Sequence, residues 1–168
     1  MENIVLIGMP GVGKSTVGVV LAKILGYKFI DSDILIQEQE GMLLSEIMEE
    51  KGVEAFIEIE NQVNAQIKAY HCVIATGGSV VYGAQAMEHL KKIGTVVYLK
   101  QNLFHLKKRL HNLKGRGVAL REGQTLEGLF EERTALYEKY ADITVDQHGL
   151  NIDETIKAVR LALDSYKG

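Results

Sequence analysis

A chain of 168 residues of which 46% are hydrophobic can bury the core of one domain, and we expect a single domain over residues 1–168. Its formal net charge of −3 excludes a general attraction to nucleic acid or to an acidic membrane surface, which favours a small-molecule partner. A single cysteine excludes an internal disulfide, and no apolar run approaches the roughly 18 residues of a membrane helix. We therefore expect a cytoplasmic protein, and a monomer.

The predicted elements alternate between strands and helices. Short buried strands are predicted at 3–7, 27–30, 73–75, 95–99 and 143–145, and helices at 16–25, 84–92, 103–113, 126–140 and 153–165. Residues 34–70 form several further helices in this prediction, which is typical of a substrate-covering segment beside the sheet. Residues 114–124 are the best candidate for a mobile lid loop. The order predicts a three-layer α/β fold, a five-stranded parallel sheet with helices on both faces.

Residues 8–15 carry the pattern G-x-x-x-x-G-K-[ST] between a predicted strand and a predicted helix, as a phosphate-binding loop requires. Glycines let several N–H groups point at one phosphate, and the helix adds its positive N-terminal end. Lys14 is the candidate for contact with the outer phosphates, and Ser15 for ligation of the accompanying Mg²⁺. A chance glycine-rich turn is the alternative, but strand, pattern and helix agree. The predicted nucleotide-binding residues here are Gly11, Val12, Gly13, Lys14, Ser15 and Thr16.

Two aspartates follow the second predicted strand, and the carboxyl ends of parallel strands converge on one cleft. Asp31 and Asp33 occupy alternate positions of a segment that we expect to be extended, so one can face the magnesium while the other faces a substrate hydroxyl. The alternative is that Asp33 only caps the helix that follows.

The later loops supply further candidates for the same cleft. Gly77 and Gly78 would let a ligand approach the backbone, or would form a plain turn. Arg116 lies between two glycines of the predicted lid and could swing over the transferring phosphate, or remain a solvated surface arginine. Arg133 is a candidate anchor for an anionic substrate, although an arginine beside two glutamates is usually a surface charge.

These motifs resemble the shikimate kinase family in their order and over nearly the whole length. They are the phosphate loop, Asp-Ser-Asp at 31–33, Phe56 with Glu60 four residues later, Thr-Gly-Gly at 76–78 and Glu132-Arg133-x-x-Leu136-Tyr137. The resemblance implies ATP-dependent phosphoryl transfer to a hydroxyl of shikimate, in aromatic amino acid biosynthesis, with Mg²⁺. It also implies the residue roles: Ser15 and Asp31 for magnesium; Lys14, Asp33 and Arg116 for catalysis; Asp33, Gly78 and Arg133 for the substrate; Arg109 and Arg116 for the nucleotide.

Three departures from the family pattern concern the acceptor and the lid. Ile57 stands where the family usually has one of two arginines that clamp the carboxylate of shikimate, so we include it among the substrate-site residues. Ser79 replaces the third glycine of a triple-glycine turn, and residues 117–119 lack the lid proline. Three hypotheses stay open: a shikimate kinase, the same chemistry on another small polyol or hydroxy acid, and a catalytically weak nucleotide-binding domain.

Overall fold

Five parallel strands form a sheet with helices around it in the computed structural model, which describes residues 2–110 and 117–167. The strands are β1 (Asn3–Ile7), β2 (Lys28–Asp31), β3 (Cys72–Ala75), β4 (Gly94–Lys100) and β5 (Ile143–Asp146). The helices are α1 (Lys14–Leu25), α2 (Ser32–Glu40), α3 (Leu44–Lys51), α4 (Val53–Ala65), α5 (Ala84–Ile93), α6 (Leu103–Arg109), α7 (Leu126–Tyr140) and α8 (Ile152–Lys167), with a 3-10 helix at Val80–Tyr82. The predicted α/β class is confirmed.

The sheet has the order β2-β3-β1-β4-β5, so β1 lies at its centre. In β1, Val5 is in register with Ile74 of β3 and with Val96 of β4. Every residue of β1 is buried, which requires helices over both faces of the sheet and explains its uninterrupted apolar sequence. The strand order reverses at β1, and ligands of such sheets bind at the carboxyl ends of the strands around this point.

Helix α2 begins earlier than the sequence pattern suggested, and this changes the position of one aspartate. The side chain of Asp31 accepts a hydrogen bond from the N–H of Asp33 at 3.0 Å, so Asp31 is the N-cap. The chain becomes helical at Ser32, and Asp33 lies in the first helical turn. Its predicted place on an extended segment is therefore wrong, and so is the alternative that Asp33 caps the helix.

The segment between β2 and β3 forms α2, α3 and α4, which share an apolar cluster apart from the core around the sheet. Its buried members are Ile36, Leu44, Ile47, Phe56, Val63 and, from the chain after residue 116, Ala119. The predicted substrate-covering segment thus packs against the described part of the predicted lid.

Helix α6 ends at Arg109, four residues before its predicted end. Leu110 leaves the helical conformation at φ −108° and ψ 71°, and its side chain is buried beneath Gly11 of the phosphate loop. The remaining predicted residues, 111–113, lie outside the described ranges. No helix within those ranges is long and apolar enough to cross a membrane.

Candidate active site

The loop between β1 and α1 presents a helix N-terminus at the centre of the sheet edge. Gly13 is the N-cap of α1 and lies in the left-handed region, at φ 94° and ψ 25°, which residues with a Cβ rarely adopt. Among the described residues no side chain accepts a hydrogen bond from this helix end. Backbone N–H groups without intrahelical partners, aided by the helix dipole, form an anion site. The arrangement suits phosphate groups.

The six predicted nucleotide-binding residues form one continuous stretch of this loop and helix. Val12 is 1% exposed, with its side chain in the core, so only its backbone can face a ligand. Ser15 and Thr16 are exposed at the start of α1. The stretch therefore offers a ligand backbone N–H groups from its loop residues and hydroxyl groups from the start of α1.

Lys14 lies inside the loop. Its Nζ donates hydrogen bonds to the carbonyl oxygens of Gly8 at 2.7 Å and of Met9 at 2.9 Å. Burial lowers the pKa of Lys14 to about 8, while the negative charge of Asp33 opposes this shift. An ammonium carries three N–H donors, so one remains beyond these two bonds.

Ser15 and Asp31 are in contact beside this helix end. Ser15 Oγ donates a hydrogen bond to Asp31 Oδ2 at 3.1 Å. Hydroxyl and carboxylate oxygens are ligands that Mg²⁺ prefers, and Mg²⁺ usually completes its shell with water and phosphate oxygens. Within residues 2–110 and 117–167, no group of three or more His, Cys, Asp or Glu side chains could hold a metal ion. The two oxygens therefore fit a magnesium ion that arrives with a phosphate-bearing ligand.

A cavity of about 50 Å³ lies next to the loop. Its walls come from the segments that follow β1, β2 and β3, from α4 and α7, and from the chain after residue 116: Pro10, Asp33, Phe56, Glu60, Gly77, Gly78, Ser79, Gly117, Val118, Ala119 and Arg133. Three residues predicted for the acceptor, Asp33, Gly78 and Arg133, meet here.

Two carboxyl groups, each with a buried oxygen atom, converge on one side of this cavity. A Cβ built on Gly77 would lie 2.6 Å from Asp33 Oδ1 and 2.8 Å from Glu60 Oε2, so only glycine fits between them. Neither oxygen has a hydrogen-bond partner among the described residues. Burial raises the pKa of Asp33 to about 6, with a further rise from the charge of Asp31. Burial also raises the pKa of Glu60 to about 8, against the hydrogen bond from Ser79.

Arg133 places a cation at the same cavity. The side chain is 1% exposed, and Nη2 donates to the carbonyl oxygen of Ala119 at 2.9 Å. A Cβ on Gly78 would come within 2.8 Å of Nη1, so Gly78 makes room for the guanidinium. Tyr137 donates from its hydroxyl to the carbonyl oxygen of Gly78 at 2.6 Å, which fixes this turn. Arg133 is thus a buried residue of the site, in contrast to a typical surface arginine.

The remaining predicted residues have other surroundings. Arg109 Nη1 donates to the carbonyl oxygen of Gly11 at 2.8 Å, which brings it to the phosphate loop. Ile57 is partly buried against the apolar cluster of α2–α4 and is not among the residues that line the cavity. Arg116 lies outside the described residues, so its predicted lid and catalytic role stays a prediction.

A wider cleft of about 650 Å³ also has Val118 in its wall. It lies between α3, the start of α4 and the chain after residue 117, and its walls are formed by Ser45, Met48, Glu49, Val53, Val118, Leu120, Arg121, Glu122, Gly123 and Gln124. None of these residues belongs to the phosphate loop, whereas Pro10 of the loop lines the smaller cavity. We therefore assign the chemistry to the smaller cavity.

The sequence prediction assigned no role to Glu60 or Tyr137, although both belong to the motifs on which the resemblance depends. A signal was present for Glu60: Phe56 and Glu60 are four residues apart, and such residues share one face of a helix. An acid next to a large aromatic residue on one face indicates a buried acid. Nothing in the sequence showed that Tyr137 reaches Gly78.

Comparisons with known proteins agree with this geometry. A family model described as shikimate kinase matches residues 10–164. A shikimate kinase of Sulfurihydrogenibium sp. is 40% identical over 87% of this chain and 88% of its own length. A shikimate kinase of Clostridium botulinum is 38% identical over 100% of this chain and 99% of its own length. Among solved structures, the shikimate kinase from Acinetobacter baumannii in complex with shikimate has a TM-score of 0.83 and 34% identity, covering 98% of this chain and 94% of its own.

Proposed function

The chain belongs to the shikimate kinase family, and we propose that it is an ATP-dependent kinase that phosphorylates a hydroxyl of shikimate in aromatic amino acid biosynthesis. The observation that carries this proposal is the cavity in which a partly buried carboxyl group, Asp33, and a buried guanidinium, Arg133, meet beside a phosphate loop. Shikimate carries hydroxyl groups and a carboxylate, which match these two groups.

The loop binds the phosphates of ATP. Backbone N–H groups of residues 11–16 hold the phosphate oxygens, and Lys14 stabilises the negative charge of the transferring group from its buried position. Ser15 and Asp31 would hold Mg²⁺, which neutralises phosphate charge and orients the phosphates when bound.

Asp33 receives and orients the acceptor hydroxyl. The pKa of Asp33 is raised to about 6. At pH 7 the carboxylate is therefore mostly ionised, and it is a stronger base than an ordinary aspartate. The N–H of Asp33 is bonded to Asp31, which fixes the backbone from which the carboxylate reaches into the cavity. Proximity and orientation supply much of the rate in phosphoryl transfer.

Arg133 holds the carboxylate of shikimate through paired hydrogen bonds. Gly78 has no side chain, which lets the substrate approach the guanidinium of Arg133. Arg109 flanks the adenine of ATP, and Arg116 closes over the phosphates as part of a lid at about 114–124. Ile57 packs against the apolar cluster of α2–α4. No observation within the described ranges favours another acceptor or a weak nucleotide-binding domain.

We further infer that the protein acts as a single-domain monomer in the cytoplasm. All the residues that line the smaller cavity belong to one chain, so the acceptor site needs no second copy.

Coupled ADP release across a panel of acceptors tests the proposed function. With ATP and Mg²⁺, shikimate should give the highest kcat/KM, ahead of quinate, gluconate and glycerol. A higher kcat/KM on a neutral polyol would overturn the shikimate assignment, and no acceptor-dependent ADP release at all would favour a nucleotide-binding domain.

A further inference from the structure

Two of the sequence departures concern the surroundings of one buried acid, Glu60. Ser79, where the family has a glycine, donates from Oγ to Glu60 Oε1 at 2.6 Å. Ile57 precedes Glu60 by three residues on α4, so it is a neighbour on the helix surface. An arginine there could form an ion pair with Glu60, whereas isoleucine offers no charge. This chain therefore gives Glu60 a hydroxyl partner and an apolar neighbour on its own helix.

The charges around Glu60 come from three other elements. Asp33 faces it from α2, Lys14 from the start of α1 and Arg133 from α7. The two cations favour an ionised Glu60, but burial outweighs them and Asp33 repels a second negative charge. Glu60 is 1% exposed, and the described residues form no ion pair with it within 4.0 Å. These surroundings favour the neutral acid at pH 7.

The hydrogen bond from Ser79 also decides which carboxyl oxygen carries the proton. Oε1 accepts from the Ser79 hydroxyl, so it acts as the carbonyl oxygen of a neutral acid. The proton then belongs on Oε2, which lies with Asp33 Oδ1 next to Gly77 and has no partner among the described residues. Glu60, Asp33 and Gly77 all line the cavity. A neutral acid held this way has a hydrogen-bond donor available beside the cavity.

We propose that Glu60 binds the acceptor as a neutral acid, with Oε2 donating a hydrogen bond to the same acceptor hydroxyl that donates to Asp33, and that Ser79 is the positioning residue that sets this direction. The bonds run one way: Ser79 donates to Glu60, Glu60 to the hydroxyl oxygen, and the hydroxyl to the Asp33 carboxylate. The acceptor hydroxyl donates once and accepts once, and no two donors in this chain of hydrogen bonds face each other. The inference rests on the proposed function, since it concerns the hydroxyl that is phosphorylated.

Glutamine is the test substitution, because its amide donates from Nε2 and accepts at Oε1 as a neutral glutamic acid does. In the wild-type protein, the KM for shikimate should rise above about pH 8 as Glu60 ionises, by up to about tenfold per pH unit. In Glu60→Gln this rise should be absent. The pKa of Lys14 also lies at about 8 and is raised by the charge of Glu60. The KM for ATP is therefore measured over the same pH range in both proteins, because Lys14 contacts the phosphates and Glu60 does not.

Three further variants distinguish the hydrogen-bonding roles of Glu60 and Ser79 from a general effect of substitution on the structure. Glu60→Leu lacks the donor and should raise the shikimate KM about 3- to 10-fold above that of Glu60→Gln, the effect of one hydrogen bond, with the KM for ATP unchanged. Ser79→Ala removes a bond that favours the ionised acid, so the rise in KM should move to higher pH. Glu58→Gln, an exposed acid on the same helix, is the matched control and should behave as the wild type.

The inference is overturned if Glu60→Gln keeps the wild-type pH profile, or if it loses shikimate binding as completely as Glu60→Leu, since Glu60 would then act as an anion. A protein that does not phosphorylate shikimate contradicts the proposed function instead. In that case infrared difference spectra decide the state of Glu60 without activity. A carboxylic acid C=O band that is present at pH 7 in the wild type and lost in Glu60→Gln supports the neutral acid, and its absence from the wild type refutes it.

Discussion

Replacing Arg133 by lysine should weaken shikimate binding without weakening ATP binding. Lysine keeps the positive charge but lacks the planar fork that gives two parallel hydrogen bonds to a carboxylate. The guanidinium is buried, with Nη2 bonded to Ala119 at 2.9 Å and Nη1 close to Gly78, so this site fixes its orientation. Loss of one charge-assisted hydrogen bond costs roughly 1.5 to 3 kcal/mol, or about 10- to 100-fold in the KM for shikimate.

Arg121 supplies the matched control. Both guanidinium groups lie near the ring of Tyr82, with Arg121 Cζ at 5.2 Å and Arg133 Cζ at 5.4 Å from its centroid. The Arg121 side chain, however, is 41% exposed and forms surface ion pairs with Glu54 and Glu132, which contribute little. Arg121→Lys should change the shikimate KM less than about twofold.

The assay is coupled ADP release at saturating ATP with shikimate varied, followed by the reverse titration, and melting curves verify folding. This role of Arg133 is refuted if Arg133→Lys leaves the shikimate KM within about twofold of the wild-type value, or if Arg121→Lys raises it as much as Arg133→Lys does. The latter result would identify Arg121 as the second carboxylate-binding arginine in place of the one missing at position 57.

Three further outcomes are expected. Lys14→Met should lower kcat by at least about 100-fold with an unchanged circular dichroism spectrum, and near-normal turnover would contradict its role. Gly77→Ala should impair shikimate turnover, because its Cβ would collide with Asp33 and Glu60, whereas Gly128→Ala on α7 should not. Because the pKa of Glu60 in the folded protein is about 8, above its usual 4.5, its contribution to the free energy of unfolding should be full below pH 4.5 and lost as pH rises to about 8. Urea titrations of wild type and Glu60→Gln should diverge over this range, and parallel curves would refute it.

The fold followed from local patterns where one signal dominated. The bounds of β1 agree with the prediction because an uninterrupted apolar run meets the turn of the phosphate loop. Helix α7 begins and ends as predicted, and its start is fixed by Thr125, which caps it by accepting from the N–H of Gly128. The end of α6 was mispredicted because Leu110 leaves the helix to pack under Gly11, and that contact joins residues far apart in sequence.

The site was predictable in its phosphate half, where a short motif fixes the chemistry. The acceptor half depends on burial. Whether Arg133 is a surface charge or a buried cation depends on how α7 packs against the turn at Gly78, which no local pattern encodes. The neutral state of Glu60 likewise depends on the combined positions of Asp33 and Ser79, which tertiary contacts bring together.

Phosphorus NMR of a single reaction mixture tests the central claim most directly. With ATP, Mg²⁺ and shikimate, the wild-type protein should produce one phosphomonoester signal that grows in equal amount with ADP, and the phosphorylated product should have the mass of shikimate plus one phosphoryl group. Lys14→Met should produce neither. ADP that accumulates with free phosphate alone, or a phosphomonoester that forms equally well without shikimate, would contradict the assignment of this cavity as a shikimate-phosphorylating site.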